Sequence, residues 1–213
     1  MKKKILILGS GGFAKEVAFL IKEINGKLDE WQIEGFVDVK EKVGEKIGGY
    51  NVIMTDEDLC EIDEQVYVAT GIGNPKVIKN IITKIRTNKN IVFPNLIHPN
   101  VVASWDSISL GEGNIITAGV VLTVEITIGS FNIFNLNTTI GHNCIIGDYN
   151  VINPGVNVSG AVKIGNCNLI GTGVQILQSK EIKDNIIIGA GSVITKNIIE
   201  EGTYIGIPTR KLK

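Results

Sequence analysis

The sequence predicts two domains in order: a small Rossmann-like α/β domain and then a parallel β-helix. A strand, a glycine turn and a helix open the chain in the segment ILILGSGGFAKEVA from residue 5. From residue 110 to residue 199 a bulky apolar residue returns every six positions, a period that fits neither a helix nor a half-buried strand. A period of six is typical of a parallel β-helix, in which three short strands make one coil and the coils stack. We expect the domains at residues 1–95 and 96–213.

The composition is typical of a globular protein that acts on small molecules. Of the 213 residues, 44% are hydrophobic and 20% are charged, and the formal net charge is -1. Near-neutral charge gives no electrostatic reason to expect nucleic acid or a membrane as a partner. The apolar run near the start is interrupted at Gly9, which makes it too short for a signal peptide or a membrane span, so we predict a cytoplasmic location. Three cysteines without a CxxC pair and only two histidines predict neither a disulfide framework nor a metal site.

Two glycine turns in the α/β domain indicate a ligand site at one edge of its sheet. The first, GSGGFA at residues 9–14, has the spacing of a phosphate-binding loop at a helix N-terminus. The second, TGIGNP at residues 70–75, follows a predicted strand at residues 65–69 and leads into a helix that Pro75 begins. The alternative for the first turn is a glycine-rich turn that only lets strand and helix pack.

The second strand in chain order, predicted at residues 34–38, ends in Asp38, at the position of ribose or base recognition in such folds. A solvated aspartate at a strand end is the alternative. A domain of about 90 residues holds one mononucleotide-binding half and not two, so we expect a nucleotide-linked ligand, not NAD. The expected binding residues are Gly9, Gly11, Gly12, Phe13, Asp38, Gly71, Ile72, Gly73 and Asn74.

The β-helix is predicted from fifteen hexads without a slip. Their apolar positions are Leu110, Ile116, Leu122, Ile128, Phe134, Ile140, Ile146, Ile152, Val158, Ile164, Ile170, Ile176, Ile182, Ile188 and Ile194. The pattern resembles that of the hexapeptide-repeat, left-handed β-helix acyltransferases. This resemblance implies 18 residues per coil and five coils, so residues 18 apart lie one strand spacing, about 4.8 Å, from each other.

Three segments together resemble the bacterial sugar acetyltransferases of the NeuD/PglD type: ILGSGGFAKEVA, TGIGNP and IGHNCIIGDYNVINPGVNVSG at residues 140–160. The similarity covers essentially the whole chain. It implies a homotrimer in which the N-terminal domain holds a nucleotide-linked sugar and acetyl-CoA lies along the β-helix between neighbouring subunits. The segment GIPTR at residues 206–210 is similar to the family's tail beside the coenzyme, which implies that Pro208 and Arg210, with Gly160, bind acetyl-CoA.

His142 matches the catalytic base of that family, and its chemistry also follows from the residue type. A nucleophile that attacks a thioester must lose a proton, and imidazole accepts protons near neutral pH. A structural histidine is the alternative. Gly160 lies 18 residues further on, and the resemblance implies that its N–H stabilises the oxyanion.

The sequence departs from the family's pattern at three positions. Asn143 stands where the family often has Glu or Asp; its amide oxygen can fix the tautomer of the base, but it brings no charge. Val151 replaces a second frequent histidine, and Phe13 replaces a histidine in the glycine loop. The departure at Val151 removes an expected contact with the acyl group. The departure at Phe13 matters less, because a phosphate loop binds phosphate with its backbone.

These observations predict an acetyl-CoA-dependent N-acetyltransferase that acts on a nucleotide-linked amino-deoxysugar, a UDP- or dTDP-4-amino-4,6-dideoxy sugar, in surface glycan synthesis. A sugar O-acetyltransferase of the sialic-acid type stays open, because the same base serves an amine or a hydroxyl. A non-catalytic nucleotide-sugar-binding protein also stays open, because Asn143 and Val151 depart from the pattern. In this prediction His142, Asn143 and Gly160 form the catalytic set.

Overall fold

The computed structural model describes residues 2–212, and two compact units divide the chain after Pro99. The first unit is an α/β domain and the second is a left-handed parallel β-helix, so the predicted fold class is confirmed. The expected domain boundary falls a few residues before this division. Within residues 2–212 no helix is both long enough and apolar enough to cross a membrane.

The α/β unit contains six strands and three α-helices. The strands are β1 (Lys3–Leu8), β2 (Trp31–Val37), β3 (Lys46–Ile47), β4 (Tyr50–Met54), β5 (Val66–Thr70) and β6 (Ile91–Val92). The helices are α1 (Gly12–Leu28), α2 (Asp56–Cys60) and α3 (Pro75–Ile85), with a 3-10 turn at Lys40–Lys42. The strand order is β3-β4-β2-β1-β5-β6, and every neighbouring pair except β3 and β4 is parallel. The hairpin of β3 and β4 and the short α2 were not predicted from the sequence.

The carboxyl ends of three neighbouring strands meet at one edge of this sheet. The N–H of Gly9 donates to the carbonyl of Val37 at 2.7 Å, and the N–H of Gly71 donates to the carbonyl of Leu8 at 2.8 Å. These two bonds join the ends of β1, β2 and β5. Helix α1 begins directly after the first glycine turn and buries Val17 and Ile21 against the sheet. The edge is therefore built by the elements that the sequence predicts.

The β-helix consists of short strands that stack in three parallel sheets. β7 (Leu96–Ile97) is a further short strand of the first unit, outside its six-stranded sheet. In chain order the strands of the second unit are β8 (Val102–Ala103), β9 (Ile108–Leu110), β10 (Ile115–Ile116), β11 (Val121–Leu122), β12 (Ile126–Ile128), β13 (Ile133–Phe134), β14 (Thr139–Ile140), β15 (Ile145–Ile146), β16 (Val151–Ile152), β17 (Asn157–Val158), β18 (Lys163–Ile164), β19 (Leu169–Ile170), β20 (Gln175–Ile176), β21 (Glu181–Ile182), β22 (Ile186–Ile188), β23 (Val193–Ile194), β24 (Gly202–Ile205) and β25 (Arg210–Lys211). One face stacks β8, β11, β14, β17, β20 and β23, and the second stacks β9, β12, β15, β18 and β21. The third stacks β10, β13, β16, β19, β22 and β24, with β25 antiparallel to β24.

The register of the strands follows the predicted coil of 18 residues. Thr139 pairs with Asn157, and Ile145 pairs with Lys163. Of the fifteen apolar hexad positions, all except Leu110 in the first coil are buried. Each buried isoleucine contributes about 1.5–3 kcal/mol of hydrophobic stabilisation. The repeat therefore supplies both the core and the alignment of the coils.

A ladder of buried asparagines runs inside one corner of the β-helix. It consists of Asn114, Asn132, Asn150 and Asn168, none of which is exposed to solvent. The amide oxygen of each accepts the backbone N–H one coil further on, at 2.8–3.0 Å, and the last bond goes to Ile186. Corners interrupt the strands, so these amides satisfy backbone groups that would otherwise be buried without a partner.

Candidate active site

His142 lies at a corner of the β-helix, directly after β14. The N–H of Ala161 donates to the carbonyl of His142 at 2.7 Å, and the N–H of Asn143 donates to the carbonyl of Val124 at 3.1 Å. These bonds stack the corner residues of three successive coils, as the 18-residue register predicts. His142 and Asn143 are exposed in the single chain. The corner therefore presents an imidazole to solvent on a rigid backbone.

The imidazole of His142 is held by a hydrogen bond to its neighbour. Its Nδ1 lies 2.8 Å from Oδ1 of Asn143, and Nδ2 of Asn143 donates to the carboxylate of Glu125. A carboxylate only accepts hydrogen bonds, so the amide nitrogen must face Glu125 and the amide oxygen must face the ring. Nδ1 then carries the proton, and Nε2 is left with a free lone pair. An imidazole held in this way suits a general base.

Gly160 lies against the Nε2 side of the ring. A Cβ atom at residue 160 would collide with Nε2, Cε1 and Cδ2 of His142, so only glycine leaves room for the imidazole. None of the hydrogen bonds found among residues 2–212 uses the N–H of Gly160. An unused backbone donor beside a base suits a thioester carbonyl whose oxygen becomes negative during the reaction.

The sheet edge of the α/β unit brings its two predicted glycine turns into contact. Gly9 has a φ of +83°, and a Cβ atom there would lie 2.9 Å from the side chain of Ile72 and 3.3 Å from the carbonyl of Gly71. The backbone of α1 begins at exposed Gly11 and Gly12, and no side chain caps its first turn. This helix terminus offers free N–H groups of the kind that bind a phosphate.

Asp38 forms a hydrogen-bonded cluster at the same edge. Its Oδ2 accepts from the hydroxyl of Ser10 and, at 3.0 Å, from Nζ of Lys42, and its Oδ1 accepts from the N–H of Val39 at 2.8 Å. Burial disfavours the charged form, but the bonds from Ser10, the Val39 backbone and Lys42 together hold the pKa of Asp38 below its usual value. The carboxylate is therefore charged and fixed in place.

Two openings adjoin this cluster within the α/β unit. A cavity of about 70 Å³ is lined by the ends of β1 and β2 and by Asp38 and Ile72. A wider groove of about 740 Å³ is lined by Val39, Asp56 and their neighbours up to Asp58. The two share Val39 and Asp56. The groove is large enough for a nucleoside, and the glycine turns lie beside the smaller cavity.

The other predicted residues lie at these places. Phe13 is half-buried in the first turn of α1, and Gly73 is exposed in the second glycine turn. Oδ1 of Asn74 caps α3 by accepting from the N–H groups of Lys76 at 3.0 Å and Val77 at 3.3 Å. Pro208 and Arg210 are exposed in the C-terminal tail, where Arg210 pairs with Ile205 between β25 and β24.

Comparisons with known proteins agree with this architecture. A family profile described as the PglD N-terminal domain matches residues 4–85. The acetyltransferase domain of PglB from Neisseria gonorrhoeae FA1090 is 27% identical, over 99% of this chain and 100% of that chain, with a TM-score of 0.87, and it has also been solved with acetyl coenzyme A. Residues 4–85 therefore belong to the PglD N-terminal domain family, and over its whole length the chain is similar to sugar acetyltransferases of the NeuD/PglD type.

Two further solved structures are similar to the chain over nearly its whole length. PerB from Caulobacter crescentus, in complex with CoA and GDP-perosamine, is 26% identical over 99% of this chain and 97% of that chain, with a TM-score of 0.88. WeeI from Acinetobacter baumannii AYE is 26% identical over 99% of this chain and 100% of that chain, with a TM-score of 0.84. A search of curated protein sequences finds no significant match.

The candidate site contains residues that the sequence analysis missed. Glu125 lies 18 residues before Asn143, so the coil register, applied backwards from Asn143, would have found it. Ser10 and Lys42 hold Asp38; Lys42 lies only four residues after Asp38, whereas Ser10 lies 28 residues before it. Val151, at the position of the family's second histidine, is buried in β16.

Three buried polar atoms have no hydrogen-bond partner within residues 2–212. They are Oγ1 of Thr70, Oδ1 of Asn135 and Nδ2 of Asn168. Thr70 ends β5 at the edge where the second glycine turn begins. No sequence pattern predicts any of them, because a missing hydrogen-bond partner is a property of the packed state.

Proposed function

We propose that the chain catalyses transfer of the acetyl group of acetyl-CoA to the amine of a nucleotide-linked amino-deoxysugar. The proposal rests on the arrangement of His142, Asn143 and Gly160 at one corner of the β-helix. Nδ1 of His142 is held by Asn143 at 2.8 Å, and the Nε2 side of the ring lies against Gly160. The complexes of PglB with acetyl coenzyme A and of PerB with CoA and GDP-perosamine support the two substrates.

The reaction at this corner balances without a metal or a redox cofactor. The sugar amine attacks the thioester carbonyl carbon as Nε2 of His142 accepts its proton. The carbonyl oxygen becomes an oxyanion, and the N–H of Gly160 donates to it. The intermediate then collapses, the carbon–sulfur bond breaks, and the imidazolium returns its proton to the CoA thiolate. The products are the N-acetylated sugar nucleotide and free CoA.

The α/β unit binds the nucleotide in this proposal. The free N–H groups at the start of α1 hold the diphosphate, close to the turns of Gly9 and Gly71. Asp38 and the adjoining groove accept the nucleoside. The nucleotide is UDP or dTDP in the finer form of the proposal, and GDP enters as a third candidate because PerB holds GDP-perosamine.

The working form is a homotrimer in this proposal, with acetyl-CoA along the β-helix between neighbouring subunits. Pro208 and Arg210 of the exposed tail, with Gly160, contact the coenzyme. Large apolar side chains near the corner, such as Val124 and Ile145, are 45% and 48% exposed in the single chain. Such side chains are suited to burial between subunits. The reaction takes place in the cytoplasm, where acetyl-CoA and nucleotide sugars are available.

The test measures thiol release from acetyl-CoA with a panel of UDP-, dTDP- and GDP-linked 4-amino sugars, with free sialic acid as a hydroxyl acceptor. We expect turnover with at least one aminosugar and a loss of about 10²–10⁴-fold in kcat for His142→Ala. The matched control is Asn51→Ala, an exposed substitution in β4 of the other unit.

Each other outcome contradicts a definite part of the proposal. Turnover with sialic acid alone would establish O-acetylation in place of N-acetylation. Full turnover by the His142→Ala variant would remove the assigned base. Tight binding of a nucleotide sugar without any thiol release would identify a non-catalytic binding protein.

A further inference from the structure

We infer that Glu125 is a positioning residue of the active site: through the amide of Asn143 it selects the tautomer of His142 and supplies the negative charge that residue 143 lacks. The inference rests on the proposed function of His142 as the base. It assigns a role to a side chain one coil away that reaches the imidazole only through Asn143.

The first step of the argument is the placement of Glu125. It stands at the same corner as Asn143, one coil earlier, and both residues have left-handed backbone conformations, with φ of 56° and 58°. The N–H of Glu125 donates to the hydroxyl of Ser107 at 3.2 Å, one coil earlier again. The column of corner residues therefore directs the carboxylate of Glu125 toward residue 143.

The second step is the orientation of the amide. An asparagine side chain can turn its oxygen or its nitrogen toward the ring, and the two choices leave opposite tautomers of His142. Glu125 decides between them, because its carboxylate accepts only from the nitrogen. The amide oxygen then accepts from Nδ1–H of His142 at 2.8 Å, and Nε2 is the basic atom. Without Glu125 both orientations of Asn143 become available.

The third step is charge. An imidazolium forms when His142 accepts the proton of the amine, and a neutral amide stabilises it less than a carboxylate does. Glu125 places a full negative charge on the far side of that amide and polarises it. All three side chains are exposed in the single chain, where water weakens the effect. Bound coenzyme and sugar would displace this water and strengthen it.

Kinetics of three variants test whether the site needs a negative charge at this corner. Glu125→Gln keeps an oxygen that can accept from Asn143 but removes the charge; we expect kcat to fall about tenfold or more while KM for acetyl-CoA stays within about twofold. Asn143→Asp alone places two carboxylates in contact and also loses activity. In the double variant Glu125→Gln/Asn143→Asp, the new amide donates to the new carboxylate, and we expect kcat to recover to within about threefold of the wild type.

The matched control is Glu181→Gln, which neutralises a half-buried carboxylate of the β-helix that pairs with Lys183. We expect its kcat to equal that of the wild type. A Glu125→Gln variant with wild-type kcat, or a double variant no better than its single parents, would overturn the role of the charge.

A spectroscopic measurement tests orientation without any turnover. The chain has only two histidines, so ¹⁵N-histidine labelling gives two imidazoles, which His142→Ala assigns. We expect the neutral His142 of the full chain to carry its proton on Nδ1, and a Glu125→Ala variant to show both tautomers. A single Nδ1–H tautomer in Glu125→Ala would overturn the orienting role. A wild type that orients His142 but transfers no acetyl group would refute the proposed function and leave this positioning confirmed.

Discussion

Gly160 shows how closely the backbone of one coil approaches the base of another. The imidazole of His142 occupies the space that any side chain at residue 160 would need. The requirement for glycine is therefore one of space at the site and not one of backbone conformation. Because the same residue presents an unused N–H, base and oxyanion donor are held side by side.

Gly160→Ala tests this approach. The methyl group must displace the imidazole, so we expect kcat to fall about 10²-fold or more, while the fold is retained. Gly26→Ala is the control, because a Cβ atom at that exposed position of α1 meets nothing within 4 Å. It should keep full activity and gain about 0.5–1 kcal/mol of stability. Wild-type kcat in Gly160→Ala would contradict the close packing of the two residues.

The lowered pKa of Asp38 makes the stability of the folded state depend on pH. The folded state lowers its pKa below the usual value of 3.8, despite the opposing effect of burial, because Ser10, the Val39 backbone and Lys42 donate to the carboxylate. A group whose pKa is lower in the folded state stabilises that state above its unfolded pKa and loses this contribution as pH falls through the folded value.

Thermal unfolding at several pH values checks this effect in Asp38→Asn. The wild type should be the more stable protein above pH of about 5, and its advantage should shrink steadily as pH falls below about 4. Exposed Asp63, changed to Asn, is the control and should show no such trend. A stability difference for Asp38→Asn that does not change with pH would indicate that the hydrogen bonds do not depend on the charge.

At the scale of elements, the asparagine ladder compensates for the interrupted corners of the β-helix. The side chain of Asn150 accepts the N–H of Asn168 at 3.0 Å and donates to Oδ1 of Asn132 at 3.0 Å and to the carbonyl of Gly165 at 2.8 Å. The three asparagines are fully buried, so water cannot replace a lost bond between them. The ladder therefore belongs to the stability of the coils and not to the active site.

Asn150→Ala should lower the free energy of unfolding by about 2–4 kcal/mol, because it leaves several buried backbone and amide groups unsatisfied. Chemical denaturation measures the change. The exposed Asn51→Ala should change stability by less than about 0.5 kcal/mol. A loss as small as that of the control would contradict the ladder's contribution.

The same elements show what a periodic sequence can reveal. The hexads predict the buried positions, because one apolar residue per short strand must point into the coil. The hairpin of Lys46–Ile47 and Tyr50–Met54 escaped prediction, because its strands are short and have no clear apolar alternation. Short elements of this kind depend on the neighbours that cover them.

For the whole molecule, the proposed assembly determines the mass in solution. A homotrimer of the 23.0 kDa chain has a mass of about 69 kDa. We expect light scattering after size-exclusion chromatography to give this mass at the concentrations that support turnover. A fully active species of 23.0 kDa would contradict an active site between subunits.

The sequence by itself determined the order of the two domains, the buried positions of the β-helix, and the pairing of His142 with Gly160. It did so because successive coils pair at a constant offset of 18 residues, so spatial neighbours across coils follow from arithmetic along the chain. The glycine turns of the α/β unit were also predicted from the sequence; Gly9 requires glycine because its φ is +83°, and Gly71 requires it because a Cβ atom would lie 2.7 Å from Ala14.

Only the tertiary structure decided how side chains meet at these positions. It placed the carboxylate of Glu125 on the amide of Asn143, and Ser10 and Lys42 on Asp38. A residue offset predicts which residues are neighbours but not their rotamers. Ser10 and Asp38 lie in different loops and meet only after the sheet has formed. The negative charge that Asn143 lacks is therefore carried by Glu125, one coil away. The backbone direction and packing of the corner turn its side chain toward Asn143.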